Sequence, residues 1–241
     1  MEPCFKMLIA KNAGLKKFLI VLSILFLIFI IVFTPLRIYI YNLDYYLNLY
    51  EKNGVYNYID KDDAVKLTTN LFDFFKNKSE FKKFDLKIER DFFTQDEINH
   101  LKDVRELLNK IFLVYYICIA GFFITILILI ENKIFFYLKN ISLVFIWASS
   151  SVIFLLILIY FLSNNFLPLF EKFHLIFFPQ GNWSFPEDSL LITLFPLNFF
   201  YEFLITLVSS AFYISFVFLI IGIVLFFISK KYMNRIYKNL N

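Results

Sequence analysis

The sequence has very little of several residue types that define whole classes of protein. Its 241 residues include two cysteines, two histidines and five glycines, and only 18% of them are charged. So few glycines exclude a collagen-like repeat, and two cysteines exclude a disulfide-stapled secreted scaffold. The low charge and the 60% hydrophobic content exclude intrinsic disorder. With 35 phenylalanines as well, the composition is that of an integral membrane protein.

The two cysteines are expected to be inert thiols. Cys4 lies near the N-terminus and Cys118 lies inside an apolar run, and neither has a neighbour at metal-ligand spacing. We therefore expect neither a disulfide nor a metal-thiolate site.

Four uncharged stretches are long enough to cross a bilayer as helices. A hydrocarbon core about 30 Å thick needs about 20 helical residues. Lipid offers no partner to a bare backbone, so a spanning segment of this kind must be helical. No small-residue cleavage site follows the first stretch, so we interpret it as a retained anchor. The predicted spans are residues 18–36, 111–130, 141–162 and 203–229.

Basic residues are concentrated in three of the segments outside the spans. The tail 1–17, the loop 131–140 and the tail 230–241 together hold ten lysines and arginines, against the acidic pair Glu2 and Glu131. The positive-inside rule therefore predicts that both termini lie in the cytoplasm. The remaining segments, about 37–110 and 163–202, then lie outside.

The longer outer segment is predicted to form a mostly helical cap at the membrane surface. It has too small a core to fold well alone. Asp62 and Asp63 can cap a helix that continues to about Phe75, and residues 81–93 alternate irregularly, which indicates extended chain. The predicted fold class is all-α, with four transmembrane helices and an extracytoplasmic cap.

A capping box marks the start of the helix that leads into the second span. The Thr94 hydroxyl can accept a hydrogen bond from the amide of Glu97, whose carboxylate can reach back to the amide of Thr94. His100 follows on the apolar stripe of this helix, with Asp103 one turn later. We therefore expect this histidine to point away from bulk water.

The shorter outer segment is rich in aromatic residues and proline. Four of the six prolines lie between residues 168 and 196, and residues 179–182 have the composition of a turn. Phenylalanine and tryptophan at a membrane edge are typical of an interfacial segment. This segment carries the second histidine, His174.

The predicted topology brings His100 and His174 to the same outer face. Two titratable imidazoles at one lipid–water boundary suit proton transfer at a lipid headgroup. The alternative is that each is an ordinary interfacial histidine. A zinc site formed by both histidines and a carboxylate of Glu97, Asp103 or Asp188 is a further alternative, with no local HExxH pair to support it.

Two segments resemble the signatures of a known family. Residues 97–104 read EINHLKDV, which resembles the E-x-x-H-hydrophobic-x-D-V signature of the lipoprotein intramolecular transacylase (Lit) family. Residues 173–196 read FHLIFFPQGNWSFPEDSLLITLFP, which is similar to that family's second signature, F-H-x-x-F-F…W…D-x-L-hydrophobic…P. The resemblance covers nearly the whole chain, since the length, the four spans and the orientation of the termini also fit.

The resemblance implies an acyltransferase of the cell (plasma) membrane. Enzymes of this family act on lipoproteins whose N-terminal cysteine carries a diacylglyceryl group. They move the sn-2 acyl chain from the glycerol oxygen to the cysteine α-amino group, which leaves a lyso-form lipoprotein. The resemblance also implies that His100 and His174 form the catalytic pair.

The residues suit this chemistry. An α-ammonium group with a pKa near 7.7–8.0 must lose a proton before it attacks an ester, and a neutral imidazole can take it. An imidazolium can then protonate the departing glycerol oxygen, so neither a cofactor nor an enzyme nucleophile is required. Asp103, Asp188 and Glu97 are the candidates to orient an imidazole. The aromatic side chains expected to position the substrate and exclude water are Phe173, Phe177, Phe178 and Trp183.

Two other functions remain open on the sequence alone. One is a non-catalytic binding or assembly protein that uses its aromatic outer face, and the other is a metal-dependent membrane hydrolase. The expected partners are a diacylglyceryl-modified lipoprotein N-terminus and membrane lipid, with no nucleic acid. The sequence leaves open the oligomeric state and which histidine is the base.

Overall fold

The computed structural model describes residues 13–77, 80, 92–131, 133–163 and 165–238. Within these residues the fold is all-helical, with eight α-helices, one short 3-10 turn at Val55–Asn57 and no strand. The helices α1 to α8 are Ala13–Tyr39, Leu43–Lys52, Lys61–Phe75, Gln95–Ile128, Ile134–Ser163, Phe166–Phe177, Leu190–Leu194 and Leu197–Lys238. Cys4 and nearly all of the segment predicted to be extended, 81–93, lie outside the described residues.

Four of the helices, α1, α4, α5 and α8, are long and apolar enough to cross a membrane. This confirms the all-α fold class and its four candidate spans. Three of the uncharged stretches lie inside a single helix, and α4 ends at Ile128, just before the end of the stretch 111–130. Both α4 and α8 begin well before their apolar stretches, so each helix also supplies residues to the outer segments.

The chain divides into two compact units, and the first contains the apolar parts of the four long helices. It consists of Met1–Pro35, Val114–Ile159 and Val208–Asn241. The Phe26 ring of α1 packs directly on the backbone of α4 at Gly121, where an added Cβ would lie 2.6 Å from the ring. Ser23 donates to Thr125 at 2.8 Å, which joins α1 to α4 in the manner common between membrane helices. Ser149 of α5 is fully buried.

One end of this first unit is held by a polar cluster. The ammonium group of Lys16 on α1 pairs with the carboxylate of Glu131, which follows α4. Asn140 of α5 donates to the same carboxylate oxygen at 2.8 Å. The start of α1 and the connection between α4 and α5 therefore lie at the same end, as the charge distribution predicts.

The second unit consists of Leu36–Leu113 and Tyr160–Leu207. Its core is strongly aromatic: the Tyr46 ring packs edge-on against Phe72 at 4.9 Å and against Phe199 at 5.3 Å. Tyr50, also fully buried, shares a 2.9 Å hydrogen bond with Thr68. Phe199 comes from the second outer segment, so the two outer segments share one core. The longer segment has too few apolar residues to form a core alone, and the shorter segment supplies the rest of that core.

The prediction that Asp62 and Asp63 cap α3 was wrong, because the N-cap lies two and three residues before them. The helix begins at Lys61, and its N-cap is Asp60, whose carboxylate accepts from the amide of Asp62 at 2.9 Å. Asp62 and Asp63 therefore lie inside the first turn, where their negative charge interacts favourably with the positive end of the helix dipole. The predicted end, at Phe75, is confirmed.

Candidate active site

The capping box positions the first histidine and is confirmed atom by atom. The Glu97 amide donates to the Thr94 hydroxyl at 3.3 Å, and the Thr94 amide donates to Glu97 Oε2 at 2.7 Å. This fixes the first turn of α4, so His100 lies one turn further on. The His100 side chain is buried, with 7% of its surface exposed.

The carboxylate of Glu97 also connects α4 to a distant part of the chain. Its second oxygen, Oε1, accepts from the amide of Leu191 in the first turn of α7 at 2.9 Å. Glu97 is 1% exposed, so both charge-assisted hydrogen bonds are shielded from water. Glu97 thus anchors the helix that bears His100, and its two oxygens bond main-chain amides.

The second histidine is held in one tautomer by its own helix. His174 lies in the last turn of α6, and its Nδ1 lies 2.8 Å from the carbonyl oxygen of Phe170. A carbonyl oxygen can only accept, so Nδ1 carries the proton and, in the neutral ring, Nε2 carries the lone pair. His174 is likewise 7% exposed.

The structure brings the two histidines together in the second unit. Their ring centroids are 6.0 Å apart and their planes are inclined by 30°. Phe178 contacts both rings, at 4.8 Å from His100 and 5.6 Å from His174. Phe185 packs against His100 at 5.7 Å, and Trp183 lies over His174 at 5.0 Å. The pair is therefore enclosed by aromatic rings.

This enclosure keeps both imidazoles neutral at pH 7. Burial, with a further contribution from the nearby His174 ring, lowers the pKa of His100 to about 4, and Asp103 only partly opposes the shift. Burial also lowers the pKa of His174, against the opposing effect of its hydrogen bond to Phe170. His100 Nδ1 is buried and has no hydrogen-bond partner among the described residues.

Asp103 holds the turn that follows α6. One of its oxygens, Oδ2, accepts from the side-chain amides of Gln180 and Asn182, each at 2.8 Å. The predicted turn is confirmed: the Gly181 amide donates to the carbonyl of Phe178 at 3.1 Å, and Gly181 has a φ of 80°, which favours glycine. Asp103 therefore fixes the residue next to Trp183 to the helix that carries His100.

Three other residues predicted for the site, Phe173, Phe177 and Asp188, are exposed to solvent. Phe173 contacts His174 edge-on at 5.4 Å but is 44% exposed, and Phe177 packs on Phe173 at 4.8 Å and is 46% exposed. Asp188 is exposed, in the turn that precedes α7. Of the four predicted aromatic residues, Phe178 and Trp183 enclose the histidines most closely.

Sequence reasoning missed four residues at the site. Phe170 could have been found, because it lies one turn before His174 on the same helix. Gln180 and Asn182 could also have been found, because they are polar residues on either side of Gly181 in an otherwise aromatic segment. The sequence gives no indication that Phe185 contacts His100.

The geometry does not favour the zinc alternative. Within the described ranges, no group of three or more His, Cys, Asp and Glu side chains is placed to hold a metal ion. Both oxygens of Glu97 bond amide groups, and Oδ2 of Asp103 bonds two more. The arrangement instead offers two facing neutral imidazoles in a water-poor aromatic enclosure, which suits proton transfer.

Comparison with known proteins gives consistent results. The family model described as lipoprotein intramolecular transacylase Lit matches residues 19–200. A protein of Aquifex aeolicus (strain VF5), described only as uncharacterized, is 30% identical over 132 residues, which are 53% of this chain and 55% of that protein. The match to this curated relative thus spans about half its length.

The fold is also that of solved membrane proteins. The in meso structure of the membrane integral lipoprotein intramolecular transacylase Lit from Bacillus cereus has a TM-score of 0.71, with 19% identity, covering 92% of this chain and 100% of that one. A form with one histidine substituted has a TM-score of 0.68, with 20% identity, covering 91% and 95%. These likenesses establish the fold. Because the family model matches well over half of the sequence, this chain belongs to the lipoprotein intramolecular transacylase (Lit) family of integral membrane proteins.

Proposed function

We propose that this protein transfers the sn-2 acyl chain of a diacylglyceryl-cysteine lipoprotein to the α-amino group of the same cysteine. In this reaction a carbon–nitrogen amide bond forms and the ester bond to glycerol breaks. The amine loses a proton and the glycerol oxygen gains one, so the balance closes within a single substrate. The observation that carries the proposal is the pair of buried imidazoles, with ring centroids 6.0 Å apart, in an aromatic enclosure.

In the proposed mechanism His174 is the base. Its Nδ1 is occupied by the Phe170 carbonyl, which leaves the Nε2 lone pair to take a proton from the attacking amine. The hydrogen bond at Nδ1 also supports the imidazolium that forms, as in other oriented histidines. His174, now an imidazolium, passes this proton to the neighbouring His100 ring, and His100 gives a proton to the departing glycerol oxygen, so both imidazoles end neutral.

The aromatic enclosure serves two purposes in this proposal. It holds the amine and the ester of one flexible molecule against each other, which converts a rare encounter into a favoured one. It also keeps water away from the ester, so that transfer to nitrogen outcompetes hydrolysis. Phe178, which contacts both histidines, has only 3% of its surface exposed and forms one wall of this enclosure.

We further propose that both termini face the cytoplasm of the cell membrane and that the histidine pair lies outside. Support comes from the ten basic residues in the tails and in the loop 131–140. The pairing of Lys16 with Glu131, at one end of the first unit, supports a shared side for two of those segments. An outer location is where a diacylglyceryl lipoprotein would present its N-terminus.

The test is mass spectrometry of a reporter lipoprotein produced together with this protein. We expect an N-acylated lyso product from wild type, and unmodified diacylglyceryl-cysteine from His100→Gln and from His174→Gln. Lys102→Ala, an exposed position on the same helix, is the control and should behave as wild type. Equal product from the histidine variants would reject their roles. Release of free fatty acid without N-acylation would identify a hydrolase.

A further inference from the structure

Trp183 carries a buried hydrogen-bond donor that nothing in the described chain uses. Its Nε1 is inaccessible and has no hydrogen-bond partner among the described residues. Buried N–H groups in folded proteins are nearly always paired, so each exception needs an explanation. The indole ring lies over the His174 ring at 5.0 Å, with the two planes inclined by 33°. The unpaired donor therefore belongs to a residue that is in contact with the proposed base.

The proposed mechanism so far has no hydrogen-bond donor for the ester carbonyl oxygen. When the amine attacks the ester, the carbonyl oxygen gains negative charge, and a preorganised donor stabilises that charge. The two histidines are occupied with proton transfer. The carboxylates of Glu97 and Asp103 are acceptors when ionised and cannot help an oxyanion. An indole N–H donates only, so it cannot compete for the proton.

We infer that Trp183 Nε1–H donates to the ester carbonyl oxygen as the tetrahedral intermediate forms. This rests on the proposed acyl transfer and adds a catalytic residue to it. The carbonyl π bond opens as the carbon–nitrogen bond forms, and its electron pair resides on the oxygen that faces Trp183. The carbonyl re-forms as the bond to the glycerol oxygen breaks, and the hydrogen bond weakens again.

The turn that bears Trp183 is built to hold this donor still. Asn182, the preceding residue, donates to Asp103 at 2.8 Å, and Gln180 donates to the same oxygen. Asp103 is on α4, one turn after His100. A donor fixed before the reaction has no reorganisation cost when the charge develops, which is the condition for strong stabilisation.

The decisive variant is Trp183→Phe, which keeps an aromatic ring beside His174 and removes the N–H together with part of the ring. We expect kcat on a reporter lipopeptide to fall by about 100-fold or more, as for loss of an oxyanion donor, with KM nearly unchanged. Affinity for a phosphonate analogue of the tetrahedral intermediate should fall similarly, while affinity for an unreactive ether analogue of the substrate should not. Trp147→Phe is the matched control, because Trp147 is the other tryptophan and is exposed in the first unit.

A stability measurement separates this role from a structural one. Because Nε1 has no hydrogen-bond partner among the described residues, Trp183→Phe loses no such bond in the free protein, and its Tm should fall by no more than the smaller ring's lost packing explains. Unchanged kcat in this variant, beside an active wild type, overturns the inference alone. Parallel loss of phosphonate affinity, ether-analogue affinity and Tm would mean lost packing and overturns it too. A wild-type protein without transfer activity overturns the proposed function and this inference together.

Discussion

His100 and His174 are ordinary histidines whose surroundings make them unusual. Burial is the largest cause of the lowered pKa of each, and it brings the pKa of His100 to about 4. A neutral imidazole is the form that accepts a proton, so burial maintains the reactive state across the physiological pH range. A group whose pKa differs between the folded and unfolded states also makes the stability of the protein depend on pH.

We expect the stability of the protein to fall between pH 6.5 and pH 4 because of His100. The unfolded imidazole titrates near 6.5 and the folded one near 4, so below pH 6.5 the unfolded state binds more protons. The contribution is fully present above pH 6.5 and is lost as the pH falls. The Tm of wild type in detergent should therefore decrease more steeply over this interval than that of His100→Gln. Equal slopes, or an NMR titration of His100 centred near 6.5, would contradict the assignment.

Asp103 shows where residue-level reasoning succeeds and fails. Its position one turn after His100 was readable from helical spacing, and it was expected to orient the imidazole. Its Oδ2 accepts hydrogen bonds from Gln180 and Asn182, 77 and 79 residues away. Helical periodicity reports neighbours within a helix, whereas these partners depend on how a later turn docks.

At the scale of the helices, Glu97 joins the start of α4 to the start of α7. The local half of this arrangement, the capping box with Thr94, was predictable because it lies within four residues of sequence. The hydrogen bond to Leu191 was not predictable from the sequence. The residues around position 97 do not show whether the Glu97 carboxylate has one amide partner or two. The cap of α3 was mispredicted for a related reason: with Asp60, Asp62 and Asp63 in one stretch, several acidic residues can fill the N-cap position.

Glu97→Gln is expected to destabilise the protein by about 2 kcal/mol or more. A neutral amide has one acceptor oxygen, so either the Thr94 or the Leu191 amide would face an NH₂ group, and the Leu191 amide lies in a buried residue where such a mismatch costs most. Activity should fall with it, because the helix turn that carries His100 is no longer fixed. Thermal unfolding in one detergent provides the comparison.

The matched control is Asp96→Asn, an exposed acidic residue in the same turn of α4. It should change stability by less than about 0.5 kcal/mol, as is usual for surface positions. If both variants are equally stable, the buried bond to Leu191 contributes nothing measurable, and the proposed link between α4 and α7 is wrong.

At the scale of the whole molecule, the spans were the easiest feature to predict. Stretches without charge that are 19 to 27 residues long are long enough to cross lipid as helices. The meeting of two histidines 74 positions apart was harder, since the topology placed them on one face but gave no distance. That distance depends on the shared aromatic core around Tyr46 and Phe199, which no local pattern specifies.

Orientation is tested with single cysteines in a chain lacking Cys4 and Cys118. Glu187→Cys lies in the outer segment and Lys231→Cys in the C-terminal part of α8, and both positions are exposed. A membrane-impermeant thiol reagent should label the first in intact cells and the second only after permeabilisation, because the proposed topology puts the basic tail in the cytoplasm. The reverse pattern would invert the proposed topology and place the histidine pair inside.

The hydrogen bond between Glu97 and Leu191 joins residues 94 positions apart, and this has a consequence for synthesis. The ribosome has produced the first histidine and its helix long before it reaches α7. During that interval the Glu97 carboxylate lacks one of its two amide partners, and His174 and Trp183 have not yet been added. The proposed site is therefore incomplete in a nascent chain until residues 174–191 have been translated and inserted.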